Sequence, residues 1–233
     1  MVGRIVKAVL KLSLPALVVA SAIPVFGMGV DFNTTGIFTC GISTVGCTTS
    51  DGGTHVQIIN NGNTLNITAV GFTNTNVFPN DENLDVNGSP LDDANIITFD
   101  TTSTNRPTPA GGVNTAGLTF TLMINQTVPN ISPTSGQLLG AFSGSIDARG
   151  SNTVVNFASN QTSLTLGGGI VYTLDFLNPG QNSWTIPNPG IGKTGVTTET
   201  ATVTPEPSFL ILSGFGFAGL AFMAHRRRQK TSV

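Results

Sequence analysis

The middle of the chain alternates apolar and polar residues in short runs rich in β-branched side chains, and clusters of Gly, Asn, Asp and Pro separate these runs. A period of two is typical of strands with one buried face. Thr54–Asn60 and Thr64–Phe72 flank Asn61-Gly62, a favoured two-residue hairpin turn. Between residues 30 and 204, no stretch has apolar residues at helical spacing over three turns. We therefore expect almost no helix in this part of the chain.

Further runs of this kind predict an all-β fold, namely an antiparallel β-sandwich or jelly roll of roughly ten strands in two sheets. These runs are Gly117–Asn125, Leu138–Ile146, Asn152–Phe157 and a pair around Gly167-Gly168-Gly169. Two segments depart from the rhythm. We expect Phe78–Pro109 to be a polar excursion between strands, and Asn188–Thr204 to be a last strand followed by a short stalk.

The N-terminal segment, residues 1–29, has the pattern of a secretory signal peptide. Basic residues come first, an apolar run follows, and Ala20-Ser21-Ala22 supplies the small residues of a cleavage site. We expect a signal helix that is removed on export, with a retained N-terminal anchor as the alternative. The folded ectodomain is then residues 30–204, which is the size of one ordinary domain.

The C-terminal segment, residues 205–233, begins with Pro205-Glu206-Pro207 and continues with the uncharged run Ser208–Ala224. As a helix this run spans about 25 Å, the lower limit for crossing the hydrocarbon layer. Residues 225–233 form a basic tail that we expect to stay cytoplasmic and stop transfer. Its basic side chains are those of Arg226, Arg227, Arg228 and Lys230.

The order of tripeptide, short Gly- and Phe-rich apolar helix and terminal Arg cluster resembles the PEP-CTERM sorting signal. The resemblance implies that an exosortase-type membrane transpeptidase recognises the tripeptide, cuts near it, and releases or re-attaches the ectodomain at the cell surface. It also implies an association with exopolysaccharide and biofilm production. The two prolines independently favour an extended, accessible segment, as such an enzyme requires. The alternative is an ordinary single-span anchor.

Charge is distributed unevenly along the chain. Only Arg106, Arg149 and Lys193 are basic between residues 30 and 204, against eleven acidic residues, which gives the ectodomain a net charge of −8. Such a surface repels phosphate backbones, so we expect no nucleic-acid partner.

The chain has two cysteines, Cys40 and Cys47, close together in a Gly-rich stretch. In an exported protein this pair predicts a disulfide that closes a small loop. A zinc site would need further ligands, and His55 is the one histidine in the ectodomain.

An acidic stretch offers one candidate for metal binding. Asp81, Asn83, Asp85 and Asp92 fall at positions one, three, five and twelve of an oxygen-rich calcium loop. Val86 replaces the glycine that makes the sharp turn, and Asp92 replaces the bidentate glutamate. We therefore favour a solvated acidic loop, keep calcium as the alternative, and expect no other cofactor.

Catalytic residues are sparse, because His55 is the one candidate base for a Ser-His-Asp or Cys-His plan and lies on a predicted strand. We expect an exported, non-enzymatic surface or matrix protein, held briefly in the inner membrane and then processed. The alternative is a permanently anchored carbohydrate- or calcium-binding adhesion module. A secreted hydrolase is a third, weaker hypothesis, since paired carboxylates depend on spatial rather than sequence spacing.

Overall fold

The computed structural model describes residues 29–60, 62–77, 93–103, 112–146, 151–177, 180–189 and 193–205, together with the helical positions Gly216 and Gly219. In these ranges the chain forms fifteen strands and two 3-10 turns, Asp51–Gly53 and Ser159–Gln161. The strands are β1 (Val30–Cys40), β2 (Cys47–Ser50), β3 (His55–Asn60), β4 (Asn63–Gly71), β5 (Thr73–Val77), β6 (Asp93–Ser103), β7 (Val113–Asn114), β8 (Leu118–Val128), β9 (Ser135–Ser143), β10 (Ser145–Ile146), β11 (Val154–Phe157), β12 (Ser163–Leu166), β13 (Ile170–Leu174), β14 (Ser183–Thr185) and β15 (Thr194–Pro205).

The strands form two large antiparallel sheets and one small one. The six-stranded sheet has the order β14-β11-β9-β8-β1-β5, and the seven-stranded sheet has the order β12-β13-β15-β6-β4-β3-β2. The short strands β7 and β10 pair separately. Gly27–Thr204 forms one compact unit. The predicted all-β, antiparallel class is confirmed, whereas roughly ten strands was too low a count because several strands have only two to four residues.

Aromatic side chains from both large sheets meet in one core. Phe99 of β6 lies with its ring centroid 6.4 Å from that of Phe38 on β1 and 5.1 Å from that of Phe120 on β8. Trp184 of β14 contacts the same ring at 6.2 Å. Because β6 belongs to the seven-stranded sheet and the other three strands to the six-stranded sheet, these contacts hold the apolar faces of the two sheets together.

A buried polar network also connects the two sheets. Gln126 of β8 donates from Nε2 to the carbonyl oxygens of Pro129 (2.7 Å) and Gly167 (2.8 Å). Its Oε1 accepts a hydrogen bond from the Tyr172 hydroxyl of β13 at 2.9 Å. Both side chains are buried, and desolvation raises the pKa of Tyr172 well above its usual value. The amide therefore satisfies three buried polar groups at once.

The predicted hairpin at Asn61-Gly62 is confirmed, since Asn60 pairs with Asn63 and leaves a two-residue turn. Gly62 has a φ of 79°, a conformation that glycine adopts without strain.

The prediction that Phe78–Pro109 is an excursion between strands was wrong for its central part. Residues 93–103 form β6, which lies inside the seven-stranded sheet between β4 and β15. A β-bulge disrupts the alternation, so that Ile96 and Ile97 are both fully buried. The core-facing side of β6 also carries Thr101, whose hydroxyl donates to the Gly195 carbonyl at 3.1 Å. The irregular, partly polar inner face explains why the sequence did not indicate a central strand.

The short stalk predicted within Asn188–Thr204 is absent from residues 193–205, because β15 continues to Pro205. Among the described residues, no helix has the length and apolar character needed to cross a membrane. The predicted signal helix lies outside the described residues. So does the predicted span Ser208–Ala224, apart from Gly216 and Gly219.

Candidate functional site

The last strand, β15, leads directly into the tail and occupies an interior position in its sheet. It lies between β6 and β13, and its register with β6 runs from Thr194, opposite Thr102, to Thr202, opposite Asp93. Ala201 and Val203 face the core and are both fully buried. The strand is therefore part of the domain up to its last residues.

Side chains hold the end of β15 on both sides. The Thr202 hydroxyl lies 2.8 Å from Oδ1 of Asp175 and 3.2 Å from Oδ1 of Asp93, the β6 residue opposite it. The backbone N–H of Asp175 donates to the Thr200 carbonyl at 3.1 Å. We call Thr202, Asp93 and Asp175 the terminal clamp. Since Asp175 follows β13 and Asp93 begins β6, the clamp fixes the end of β15 to both of its neighbours.

The indole of Trp184 supports this arrangement from the core. Its Nε1 donates to the carbonyl oxygen of Asp175 at 2.9 Å, and the ring is almost fully buried. The Asp175 backbone is thus bonded on one side to β15 and on the other to β14.

Glu199 is the one buried carboxylate of β15 in the described range, with 8% of its surface exposed. It lies opposite Ile97 on the core side of the strand. Burial raises the pKa of Glu199 to about 7, although a hydrogen bond from the Thr197 hydroxyl to Oε1 (3.2 Å) opposes the shift. The carboxyl is therefore partly protonated at neutral pH.

The sorting tripeptide begins where β15 ends. Pro205 is the last residue of the strand, whereas Glu206 and Pro207 lie outside the described residues. The basic residues Arg226, Arg227, Arg228 and Lys230 also lie outside them.

The geometry defines a β-domain whose last strand is continuous with a C-terminal tail. Residues 203–228 match the family described as the PEP-CTERM protein-sorting motif. This chain therefore carries a PEP-CTERM sorting signal, which implies export, a transient association with the membrane and processing by an exosortase-type enzyme. No curated protein and no solved structure was found to match the chain.

The predicted disulfide between Cys40 and Cys47 is formed, with the two Cα atoms 5.8 Å apart. Within the loop that it closes, Thr44 is buried and donates from its hydroxyl to the Ala116 carbonyl at 3.1 Å. Ile42 and Val45 point to solvent. The loop is thus fixed to the domain at both its ends and its middle.

The predicted calcium ligands Asp81, Asn83, Asp85 and Asp92 lie outside the described residues. In the described part of the chain, no group of three or more His, Cys, Asp or Glu residues is arranged to hold a metal ion. The solvated acidic loop therefore stays a prediction, with calcium binding as its alternative.

His55, the candidate base, begins β3, and its Nδ1 lies 2.9 Å from the Thr68 hydroxyl on β4. Thr68 lies opposite Asp100 of β6. These three polar residues follow one another across neighbouring strands. The described contact of the His55 ring is with a threonine, and the expectation that this protein is not an enzyme stays a prediction.

Sequence reasoning missed the terminal clamp and Glu199. The sequence does contain a signal for Glu199, because it lies two residues before Ala201 and four before Val203 and therefore on the same, apolar face of a strand. The clamp had no such signal, since Asp93 and Asp175 are far apart in sequence and meet only through strand order.

Proposed function

We propose that this protein is a non-enzymatic component of the bacterial cell surface or extracellular matrix, built on a two-sheet β-sandwich. Its signal peptide starts export, Ser208–Ala224 holds it briefly in the inner membrane, and an exosortase-type transpeptidase cuts near Pro205-Glu206-Pro207. The observation that supports this proposal is the match of residues 203–228 to the sorting motif, which begins within the last three residues of β15.

The matrix role follows from the sorting signal and from the surface chemistry of the domain. The large aromatic side chains Trp184, Tyr172 and Phe99 are buried and serve the core. The seven-stranded sheet carries hydrogen-bonded hydroxyl and amide groups instead, such as Gln57 with Asn66 and Thr98 with Thr198. Such a domain suits a hydrated, polysaccharide-rich environment, and we propose exopolysaccharide of the biofilm as its partner.

Processing is tested by comparing the intact mass of the protein from the membrane and the cell surface. The variant with Pro205→Ala, Glu206→Ala and Pro207→Ala should keep its tail and stay in the membrane, while the wild type reaches the surface without it. Pro107-Thr108-Pro109 is one of two other Pro-x-Pro tripeptides in the chain, so its triple alanine variant is a matched control that should be processed normally.

A wild-type protein that keeps its whole tail would contradict the proposal and favour the permanently anchored adhesion module. The matrix role is tested separately, by removing exopolysaccharide enzymatically from intact cells. Release of the processed protein with the polysaccharide supports that role, and complete retention on the stripped cells contradicts it.

The calcium alternative has its own measurement. Titration of CaCl2 into the wild-type protein and into Asp85→Asn should give matching, negligible heats if the acidic loop is merely solvated. Saturable binding that Asp85→Asn abolishes would instead establish the calcium loop. Asp51→Asn, which alters an exposed acid elsewhere, is the control.

A further inference from the structure

The end of β15 limits where the chain can be cut. Peptide bonds within a sheet have their N–H and C=O groups engaged by neighbouring strands, and a protease reaches them only when the strand opens. In β15 both neighbours are present, and Ala201 and Val203 are fully buried on the core side. The bonds up to Val203–Thr204 are therefore protected by the fold.

The terminal clamp extends this protection to Thr202, the last residue of β15 in register with β6. Thr202 contacts Asp93 and Asp175 through its hydroxyl, so opening the strand end separates it from β6 and from the segment after β13 together. Only Val203 and Thr204 lie between Thr202 and Pro205. At a strand rise of 3.3 Å per residue, the tripeptide begins about 10 Å beyond the last clamped residue.

Resting on the processing step proposed above, we infer that the cut lies on the C-terminal side of Thr204, at the Thr204–Pro205 bond or beyond it. In this step the peptide C–N bond breaks, and the carbonyl carbon acquires the oxygen of water or the hydroxyl or amine of an acceptor. The new amino group leaves with the tail and takes up the proton. The mature protein keeps β15 at least through Thr204, including the buried Val203.

The processing enzyme meets the folded domain directly before the tripeptide. Because the folded domain extends to Thr204, the residue directly before the tripeptide, the enzyme has almost no free chain on the N-terminal side of the motif. It must recognise its substrate mainly from Pro205 onward, with the edge of the domain against it.

The experiment is the intact mass of the protein recovered from the surface of native cells. A C-terminus at Thr204 or later, but short of Val233, supports the inference, and any added mass identifies an acceptor other than water. A C-terminus before Thr204 overturns the inference while processing itself stands. A complete tail overturns both, because no cut is made.

Thr202→Val tests the role of the clamp, since it keeps the β-branched shape and removes the hydroxyl. We expect additional forms of the variant that end before Thr204, as cell-envelope proteases reach the loosened strand end. Thr198→Val, which removes an exposed hydroxyl from the same strand, should end at the same C-terminal residue as the wild type. A Thr202→Val protein with one C-terminus identical to that of the wild type would show that the clamp does not set the boundary.

Discussion

Cys40 and Cys47 belong to different sheets. Cys40 ends β1 in the six-stranded sheet, and Cys47 begins β2 at the edge of the seven-stranded sheet. Their disulfide therefore joins the two sheets, although only six residues, 41–46, lie between the two cysteines in sequence. It secures the edge strand β2, which has one strand neighbour, β3.

Removing this disulfide should lower the stability of the domain. Closing so short a loop restricts the unfolded chain by about 2 kcal/mol, less than the ~3 kcal/mol expected for a 15-residue loop. The variant with Cys40→Ser and Cys47→Ser should lose about that much unfolding free energy in urea denaturation of residues 27–204. Adding a reductant should lower the stability of the wild type by the same amount and leave the variant unchanged. If wild type and variant have equal stabilities both with and without reductant, the prediction is contradicted.

Glu199 should make the domain less stable as the pH rises. Its pKa is about 7 in the folded protein and 4.5 in the unfolded chain, so between these values the folded state holds a proton that the unfolded state has released. Stability therefore falls from pH 4.5 to pH 7 through this group and is then constant. At pH 8 the cost of the ionised carboxylate reaches up to about 3 kcal/mol.

Glu199→Gln removes this titration while keeping the side-chain shape. We expect the variant to be more stable than the wild type by up to about 3 kcal/mol at pH 8 and nearly equal to it at pH 4. Asp51→Asn, at an exposed position, controls for the general change in net charge. If plots of unfolding free energy against pH stay parallel for Glu199→Gln and the wild type from pH 4 to pH 8, the Glu199 carboxyl does not titrate in that range.

Gln126 should be one of the most sensitive polar positions in the core. Gln126→Leu leaves the Tyr172 hydroxyl and the Gly167 carbonyl without their described partner, while the Pro129 carbonyl keeps a hydrogen bond from the backbone N–H of Ile131. We expect a loss of about 3 kcal/mol. Gln137→Leu, on the exposed face of β9, should change stability by less than about 0.5 kcal/mol. The comparison is made by thermal or urea unfolding, and similar losses in the two variants would refute the importance of the network.

The sequence allowed much of the fold to be predicted where the alternation is regular and the turns are explicit. The β3–β4 hairpin is the clearest case, because Asn61-Gly62 determines both the turn and the register. The strands around Gly167-Gly168-Gly169 were recognised for the same reason and form β12 and β13. In both cases the information is local, within a few residues of the turn.

The parts that could not be predicted depend on contacts between distant segments. β6 was missed for two reasons. Its bulge buries Ile96 and Ile97 together, and its core face carries the polar Thr101, whose hydroxyl donates to the Gly195 carbonyl. The terminal clamp was missed because nothing near Asp93 or Asp175 indicates that Thr202 lies between them. Likewise, the sorting tail was evident from its composition, whereas the absence of a stalk depends on the extent of β15.

The interior position of β15 also affects how the domain is assembled during export. An exported chain crosses the membrane from its N-terminus, so Thr194–Pro205 is the last part of the domain to emerge. Until then, the seven-stranded sheet exists as two pieces, β12-β13 and β6-β4-β3-β2, each with an unpaired edge that can join other chains. In the export route proposed for this protein, Ser208–Ala224 is held in the membrane, and Ser208 follows Pro205 by three residues. On that proposal, this exposure ends as the tail reaches the membrane, and the arrest of the tail gives the final strand time to insert.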